Sequence, residues 1–347
     1  MLEGFVGFPP EFATRYREKG YWEDKSLRDQ FSENIFEPFA DRVAVIDGDV
    51  SVTYYELDVI SDKLALNLWD LGLRPLDRVV VMLPNVIEFA YLYFALQKLG
   101  AIPICALATH RYHELSQFTE IAQAKMCIAP DRQRDFEFAP MIARVQAENP
   151  CLTHGIVLGD APAGFLSFAD LLARRPKTAP SVLDTIEIDP TDPAVFQLSG
   201  GTTGVPKLIP RTHNDYWLNS NLAIQCTEVH ADSCLLLVLP IGHNLPLACP
   251  GMQGLMIKGG RVVLSTSARP GDVFRLVEKH GVTHIHVVPA LLIRWINDPG
   301  IGDYDLSSLR MIQSGGQRLQ PEIRIRTREL IPSVFVQENF GMSEGTL

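Results

Sequence analysis

VVVML (Val79–Leu83), IEFAYLYFALQK (Ile87–Lys98) and AIPICAL (Ala101–Leu107) read as strand, helix and strand, with Gly100 turning the chain between the last two. The rhythm continues through a helix near Tyr112–Ala122, a strand KMCIA (Lys125–Ala129) and a helix near Phe138–Ala147. Short apolar strands alternating with helices of about ten or more residues predict a mostly parallel sheet covered by helices on both faces. The longest apolar run, Val86–Cys105, is broken by Glu88, Lys98 and the turn at Gly100. It is too short and too interrupted for a bilayer span, and fits a buried helix feeding a strand.

Upstream, residues 1–50 read as a lead-in with a helix near Phe12–Lys19 and a hairpin in VAVIDGDVSVTY, turning at Asp47-Gly48-Asp49. A helix over about 55–71 follows and ends at Gly72. Downstream, Leu172–Pro193 changes composition and holds Pro176, Pro180, Pro190 and Pro193, which marks it as a domain boundary. The alternation then resumes: AVFQLS, KLIPR, a helix after Thr212, LLLVLP, a helix near Pro246–Lys258, RVVL and a helix over 272–279. HIHVV, a helix from Pro289, RMIQSG, a helix near Pro321–Leu330 and VFVQENF complete it. The expected architecture is α/β: a lead-in over 1–50, a first mostly parallel, helix-covered sheet lobe over 51–180, and a second over 181–347.

Composition narrows the function. Of 347 residues, 46% are hydrophobic and 21% charged, which excludes wholesale disorder. With 31 Lys+Arg against 41 Asp+Glu, the net charge of −10 argues against general nucleic-acid binding, while a local phosphate site stays open. The 6 cysteines form no CxxC pair, which suits reduced thiols and a cytoplasmic setting. The opening MLEGFVGFPPEF has neither a basic nor an apolar leader region, so no signal peptide and no membrane association are expected.

Leu198-Ser199-Gly200-Gly201-Thr202-Thr203-Gly204-Val205-Pro206-Lys207 lies between two of the expected strands. Glycines let a backbone turn tightly and aim N–H groups inward; the hydroxyls and Lys207 add donors and positive charge, a combination suited to a polyphosphate. It is not a P-loop, because Pro206 precedes Lys207 and Leu208 follows it, and it runs into a strand where a dinucleotide fingerprint needs a helix. An ordinary Gly/Ser/Thr loop is the plain alternative. The run of six such residues, Ser199–Gly204, ahead of Pro206-Lys207 weighs against it. His243 follows LLLVLP and so falls at a strand's carboxyl end, where α/β sites sit. His213 opens a helix and reads as a cap. His284 and His286 share a strand face, and neither they nor His280 find the carboxylate or thiolate that would complete a tetrahedral set. Arg324, Arg326 and Arg328 read as a helix's wet face that would also suit an acidic carrier.

Ser199–Lys207 resembles the phosphate-loop motif of the acyl-adenylate-forming superfamily. The continuation Leu208–Tyr216 and the opening Arg15–Trp22 resemble its stand-alone aryl-acid ligases of siderophore synthesis, the 2,3-dihydroxybenzoate-AMP and salicylate-AMP ligases. Leu239–Pro246 resembles the segment that sets a His and an Asn beside the aryl carboxylate. Ser314-Gly315-Gly316-Gln317 resembles the strand end against adenine, although Gln317 stands where the family often has Ala. Asn339-Phe340-Gly341-Met342-Ser343-Glu344 resembles the aromatic-Gly-Met-Thr/Ser-Glu motif.

The resemblance implies ATP and Mg²⁺. Ser199, Gly200, Gly201, Thr202, Thr203, Gly204 and Lys207 would hold phosphates, and Gly315, Gly316, Gln317, Asn339, Phe340 and Gly341 the nucleoside. Thr203 and Glu344 would bind the metal, Ser343 the α-phosphate, and His243 would steer the carboxylate. Asn244 would meet the ring 2-hydroxyl, and Cys249 and Leu347 would shape the 3-position. A thiol and a leucine there tilt the choice towards salicylate over 2,3-dihydroxybenzoate. The acyl group would pass to an aryl carrier protein of a nonribosomal peptide synthetase or to CoA, by way of phosphopantetheine in the first case. A homodimer is compatible with the pattern. The resemblance further implies that the C-terminal lid is absent and that the fragment alone forms adenylate very slowly. The alternatives are another carboxylic-acid CoA ligase and a non-catalytic aryl-acid or nucleotide binder. All the readings place the loop ending at Lys207, the His243–Asn244 pair and Phe340–Glu344 around one cleft.

Overall fold

A computed structural model describes residues 2, 4–199 and 207–345. These fall into two compact units: 1–33, 56–84 and 88–218 in the first, and 34–55, 85–87 and 219–347 in the second.

The first unit is built on a seven-stranded sheet in the order Leu208–Thr212, Pro193–Leu198, Ile102–Cys105, Arg78–Val81, Met126–Pro130, His154–Leu158 and Leu166–Ser167. Its pairings are parallel except for the hairpin of the first two strands. Every residue of Ile102–Cys105 is buried, and the helix Ile87–Leu99 is enclosed on nearly all sides, so an apolar sequence without polar stripe is what the position demands. Gly100 ends that helix at φ +64°, and a Cβ there would meet Ile188 Cγ1 at 3.0 Å. The helix Tyr112–Ala122 has the expected bounds.

The second unit carries another seven-stranded sheet: Phe335–Glu338, Met311–Ser314, His284–Val287, Cys234–Leu237, Arg261–Leu264, Val43–Asp47 and Val50–Thr53. All its pairings are parallel except the final hairpin, whose turn places Gly48 at φ +60°. A core of Leu236, Val263, Phe274, Ile285, Val287, Trp295, Ile312 and Val336 fills one face. Burying each such side chain stabilises the fold by about 1.5–3 kcal/mol.

Two expectations about domain limits change. The segment 34–55 is no lead-in, because Val45 pairs with Val262 and makes the hairpin part of the second sheet. A strand's own pattern cannot name a partner that far along the chain. The boundary near residue 180 also moves, since Phe196 pairs with Ile104 and the first unit runs to 218. The proline-rich stretch is a strap tied to the first unit. Asn67 Nδ2 donates to Leu171 O (2.8 Å) and Arg174 O (3.1 Å), the Thr178 hydroxyl donates to Asp70 (2.6 Å), and Arg28 donates to Leu183 O (3.0 Å) and Ile186 O (2.8 Å). The strand His154–Leu158, unread in the sequence, carries a glycine at its second position for a packing reason: a Cβ on Gly155 would run into the Phe165 ring.

Two buried imidazoles make the fold acid-sensitive. His213 accepts the Leu27 N–H at Nδ1 (3.1 Å), which makes it a structural group, and burial pushes its pKa down to about 3. His286 is pushed down to about 3 in the same way, with its Nε2 2.9 Å from Gln313 Oε1. Unfolded histidines take up protons near pH 6.5 while these do not, so the unfolded state binds more protons between that pH and about 3. Stability is therefore full above 6.5 and falls on acidification, by about 1.4 kcal/mol per pH unit for each group. The urea midpoint should stay level from pH 8 to 7 and then drop steadily towards pH 5. A midpoint unchanged at pH 5 would contradict this.

Candidate active site

The site grows from the carboxyl end of Cys234–Leu237, a strand buried at every residue. Beyond it the chain would hang as a loop, but Asn85 grips it. Asn85 Nδ2 lies 3.0 Å from Leu237 O, 2.9 Å from Leu239 O and 3.1 Å from Ser265 O, and its Oδ1 accepts the Ile241 N–H at 2.8 Å. This side chain was not singled out in the sequence, where a lone Asn after Pro84 carries no pattern.

His243 follows Ile241-Gly242 in extended conformation and opens the short helix Asn244–Ala248, its carbonyl accepting the Leu247 N–H at 3.0 Å. Part of His243 is open to solvent, yet the ring is desolvated enough to hold its pKa below the ordinary 6.5, so it is neutral at pH 7. Asn244 Oδ1 is buried and has no hydrogen-bond partner among the described residues. Cys249, at the end of the same helix, is fully buried, and its sulfur accepts from Asn219 Nδ2 at 3.0 Å.

The facing wall comes from the ends of two neighbouring strands. Gly315 donates to Val287 O (3.0 Å) and Asn339 to Ser314 O (2.8 Å). A Cβ on Gly315 would lie 3.2 Å from Leu245 Cδ2, so this position keeps the walls close. His243, Asn244, Leu245, Cys249, Val288, Gly315, Gly316, Asn339, Gly341 and Ser343 all line one cleft of about 320 Å³. It opens at the carboxyl ends of parallel strands, where an α/β sheet leaves room for a ligand. Asn339 Oδ1, on a lining residue, and Ser314 Oγ, at the end of the neighbouring strand, are buried without a partner among the described residues.

A sequence profile of AMP-binding enzymes matches residues 32–347. The chain belongs to the AMP-binding enzyme family. It is 41% identical over 350 residues to a salicylyl-CoA synthase / salicylate adenylyltransferase of Streptomyces sp, covering 99% of this chain and 63% of that protein. It is 40% identical to a salicyl-AMP ligase / salicyl-S-ArCP synthetase of Mycobacterium tuberculosis (100% and 61% covered), and 39% identical to a 2,3-dihydroxybenzoate-AMP ligase of Bacillus subtilis (99% and 62%). The apo structure of MbtA from Mycobacterium smegmatis superposes with a TM-score of 0.88 at 39% identity, covering 99% of this chain and 61% of that one. The chain thus spans about three fifths of the length of these relatives, and its two helix-flanked, mostly parallel sheets are the adenylation-domain architecture of AMP-binding enzymes.

The remaining residues singled out in this member of the AMP-binding enzyme family are placed as follows. Gln317, Phe340 and Glu344 are exposed, Phe340 by 79%, and lie outside the cleft lining. Ser199 and Lys207 belong to the first unit and close the base of the expected phosphate loop: the Ser199 N–H donates to Lys207 O and the Lys207 N–H to Ser199 Oγ, both at 3.1 Å. The loop itself, Gly200, Gly201, Thr202, Thr203 and Gly204, lies outside the described residues, as does Leu347. His284 bonds Thr283 Oγ1 (2.7 Å) and Thr227 O (2.9 Å). Among the described residues no cluster of three or more His, Cys, Asp or Glu is placed to hold a metal, and no helix is long and apolar enough to cross a membrane.

Proposed function

We propose that the chain adenylates an ortho-hydroxylated aromatic acid with ATP, salicylate in preference to 2,3-dihydroxybenzoate, for transfer to the thiol of an aryl carrier protein. The observation that carries this reading is the single cleft with His243, Asn244 and Cys249 on one wall and Gly315, Gly316, Asn339 and Ser343 on the other. The relatives named for salicylate and 2,3-dihydroxybenzoate point the same way.

In the reaction a carboxylate oxygen attacks the α-phosphorus of ATP, the bond from that phosphorus to the bridging oxygen breaks, and pyrophosphate leaves. Two anions must be brought together, so the protein's work is positioning and charge stabilisation. Neutral His243 donates an N–H to the aryl carboxylate without fixing it in a tight ion pair. Asn244 Oδ1, buried and unpartnered among the described residues, accepts the ring 2-hydroxyl. Asn339 Oδ1 offers a second acceptor, suited to an amino group of adenine. Ser343 donates to the α-phosphate, and Lys207 with the Ser199–Gly204 backbone holds the outer phosphates. Mg²⁺ takes hard oxygen ligands, which Glu344, an exposed carboxylate, and Thr203 would supply, and the ion, when bound, would neutralise phosphate charge.

Calorimetric titration with salicyl and 2,3-dihydroxybenzoyl sulfamoyl-adenosine tests the reading. The salicyl compound should bind tighter by about tenfold to a hundredfold, the effect of leaving one buried hydroxyl unpaired. A benzoyl compound binding as well as the salicyl one would refute the role of Asn244. Cys249→Ser should move the preference towards the dihydroxy compound by about tenfold, since a hydroxyl is the stronger hydrogen-bond partner; an unmoved ratio would refute the assignment of Cys249.

A further inference from the structure

We infer that Asn219 is a positioning residue that sets the ring preference by holding the thiol of Cys249. The inference rests on the aryl-acid reading only for its ligand. Asn219 sits in the helix His213–Gln225 and is absent from the cleft lining, so it acts on a ligand through another side chain. Its amide nitrogen has two hydrogens and two acceptors in range: Ala248 O at 2.9 Å and Cys249 Sγ at 3.0 Å. A thiol's rotamer about its Cα–Cβ bond is chosen among staggered wells by packing and by the groups that engage the sulfur. An amide N–H aimed at one sulfur lone pair selects a rotamer, and with it the shape and polarity that Cys249 presents to the cleft.

The neighbouring residues keep this wall in place if Asn219 changes. The Ser220 hydroxyl also donates to Ala248 O (2.9 Å) and is itself held by Gln253 Nε2 (3.0 Å). Ala248 O therefore keeps a partner in Asn219→Leu, a replacement of the same branching, while the sulfur loses the Asn219 N–H. Asn219→Asp goes further, replacing the donor with an acceptor that repels Ala248 O and draws the S–H proton away from the cleft.

The test compares the full chain with Asn219→Leu, Asn219→Asp, Cys249→Ala and the double variant Asn219→Leu/Cys249→Ala. The infrared S–H stretch of Cys249, identified by its loss in Cys249→Ala, needs no ligand and should shift in Asn219→Leu. The ratio of the two dissociation constants, salicyl over 2,3-dihydroxybenzoyl sulfamoyl-adenosine, should change about fivefold to tenfold in Asn219→Leu, and not at all when the substitution is made in the Cys249→Ala background. An unshifted band overturns the inference whatever the ligands do. A shifted band with an unchanged ratio, or a change that survives in Cys249→Ala, overturns the claim that Asn219 sets preference through the thiol. If the parent protein binds neither compound while the band shifts, the aryl-acid reading fails and the hold on the thiol stands.

Discussion

Gly251→Ala should unfold the acid-side wall of the cleft, with a loss of at least about 3 kcal/mol and a melting point lower by about 10 °C. Gly251 has φ +53°, a conformation that alone costs an L-residue about 1–2 kcal/mol. Space is the larger obstacle. The added Cβ would stand 2.4 Å from Pro246 O, 2.5 Å from Pro246 C and 2.9 Å from Leu245 O, all backbone atoms with no rotamer to escape into. Relief would push the helix Asn244–Ala248 away from Gly251–Ile257, and Asn244, Leu245 and Pro246 line the cleft. Binding of salicyl sulfamoyl-adenosine should weaken at least tenfold in the fraction that still folds. Gly302→Ala is the matched control: nothing lies within 4 Å of its added Cβ, its φ is not in the left-handed region, and it should stay within about 0.5 kcal/mol of the parent. Thermal melts of both variants decide it; equal melting points would show that the turn at Gly251 tolerates a side chain.

What was legible in the sequence followed from local physics. The helix Tyr112–Ala122 and the hairpin at Gly48 declare themselves through periodicity and turn chemistry, and both appear where expected. His243 was readable as a residue beyond a strand's carboxyl end because LLLVLP reads as an apolar strand, of which Leu235–Leu237 are strand and buried. Long-range pairing was not readable: neither Val45 with Val262 nor Phe196 with Ile104 leaves a mark in its own neighbourhood, so the two units were divided at the wrong places. The supporting asparagines escaped for a related reason. Asn85 and Asn219 bond mostly to backbone carbonyls, and a backbone carbonyl is offered by every residue type, so no partner pattern exists to find. Motifs reveal the groups that would meet a ligand. The groups that aim them emerge only when the chain is folded.

Asn85→Leu should be among the most damaging substitutions that touch no ligand. The two side chains share their branching and number of heavy atoms, so no cavity opens; the effect is the loss of hydrogen bonds, with some crowding added by the bulkier methyl groups. Leu237 O keeps the Ser265 N–H at 3.1 Å, but Leu239 O, Ser265 O and the Ile241 N–H each lose the Asn85 amide. An unmade bond at a buried donor or acceptor costs about 1–3 kcal/mol, and carbonyls sit at the low end because a second lone pair can be served elsewhere, giving a total of about 3–5 kcal/mol. The loop that starts at Leu239 also carries His243, two residues past Ile241, so aryl-acid binding should weaken about tenfold to a hundredfold even where the fold survives. Asn85→Asp separates the two halves of the grip. Its carboxylate still accepts the Ile241 N–H but faces three carbonyl oxygens, which raises its folded pKa above the unfolded value near 3.9. The ionised form is therefore disfavoured in the fold, and the penalty is full at neutral pH and shrinks as pH falls through the raised pKa. Urea midpoints should put Asn85→Asp below Asn85→Leu at pH 7 and bring the two closer by pH 5. A constant gap between them across that range would mean that the carbonyls do not face residue 85 as the fold requires.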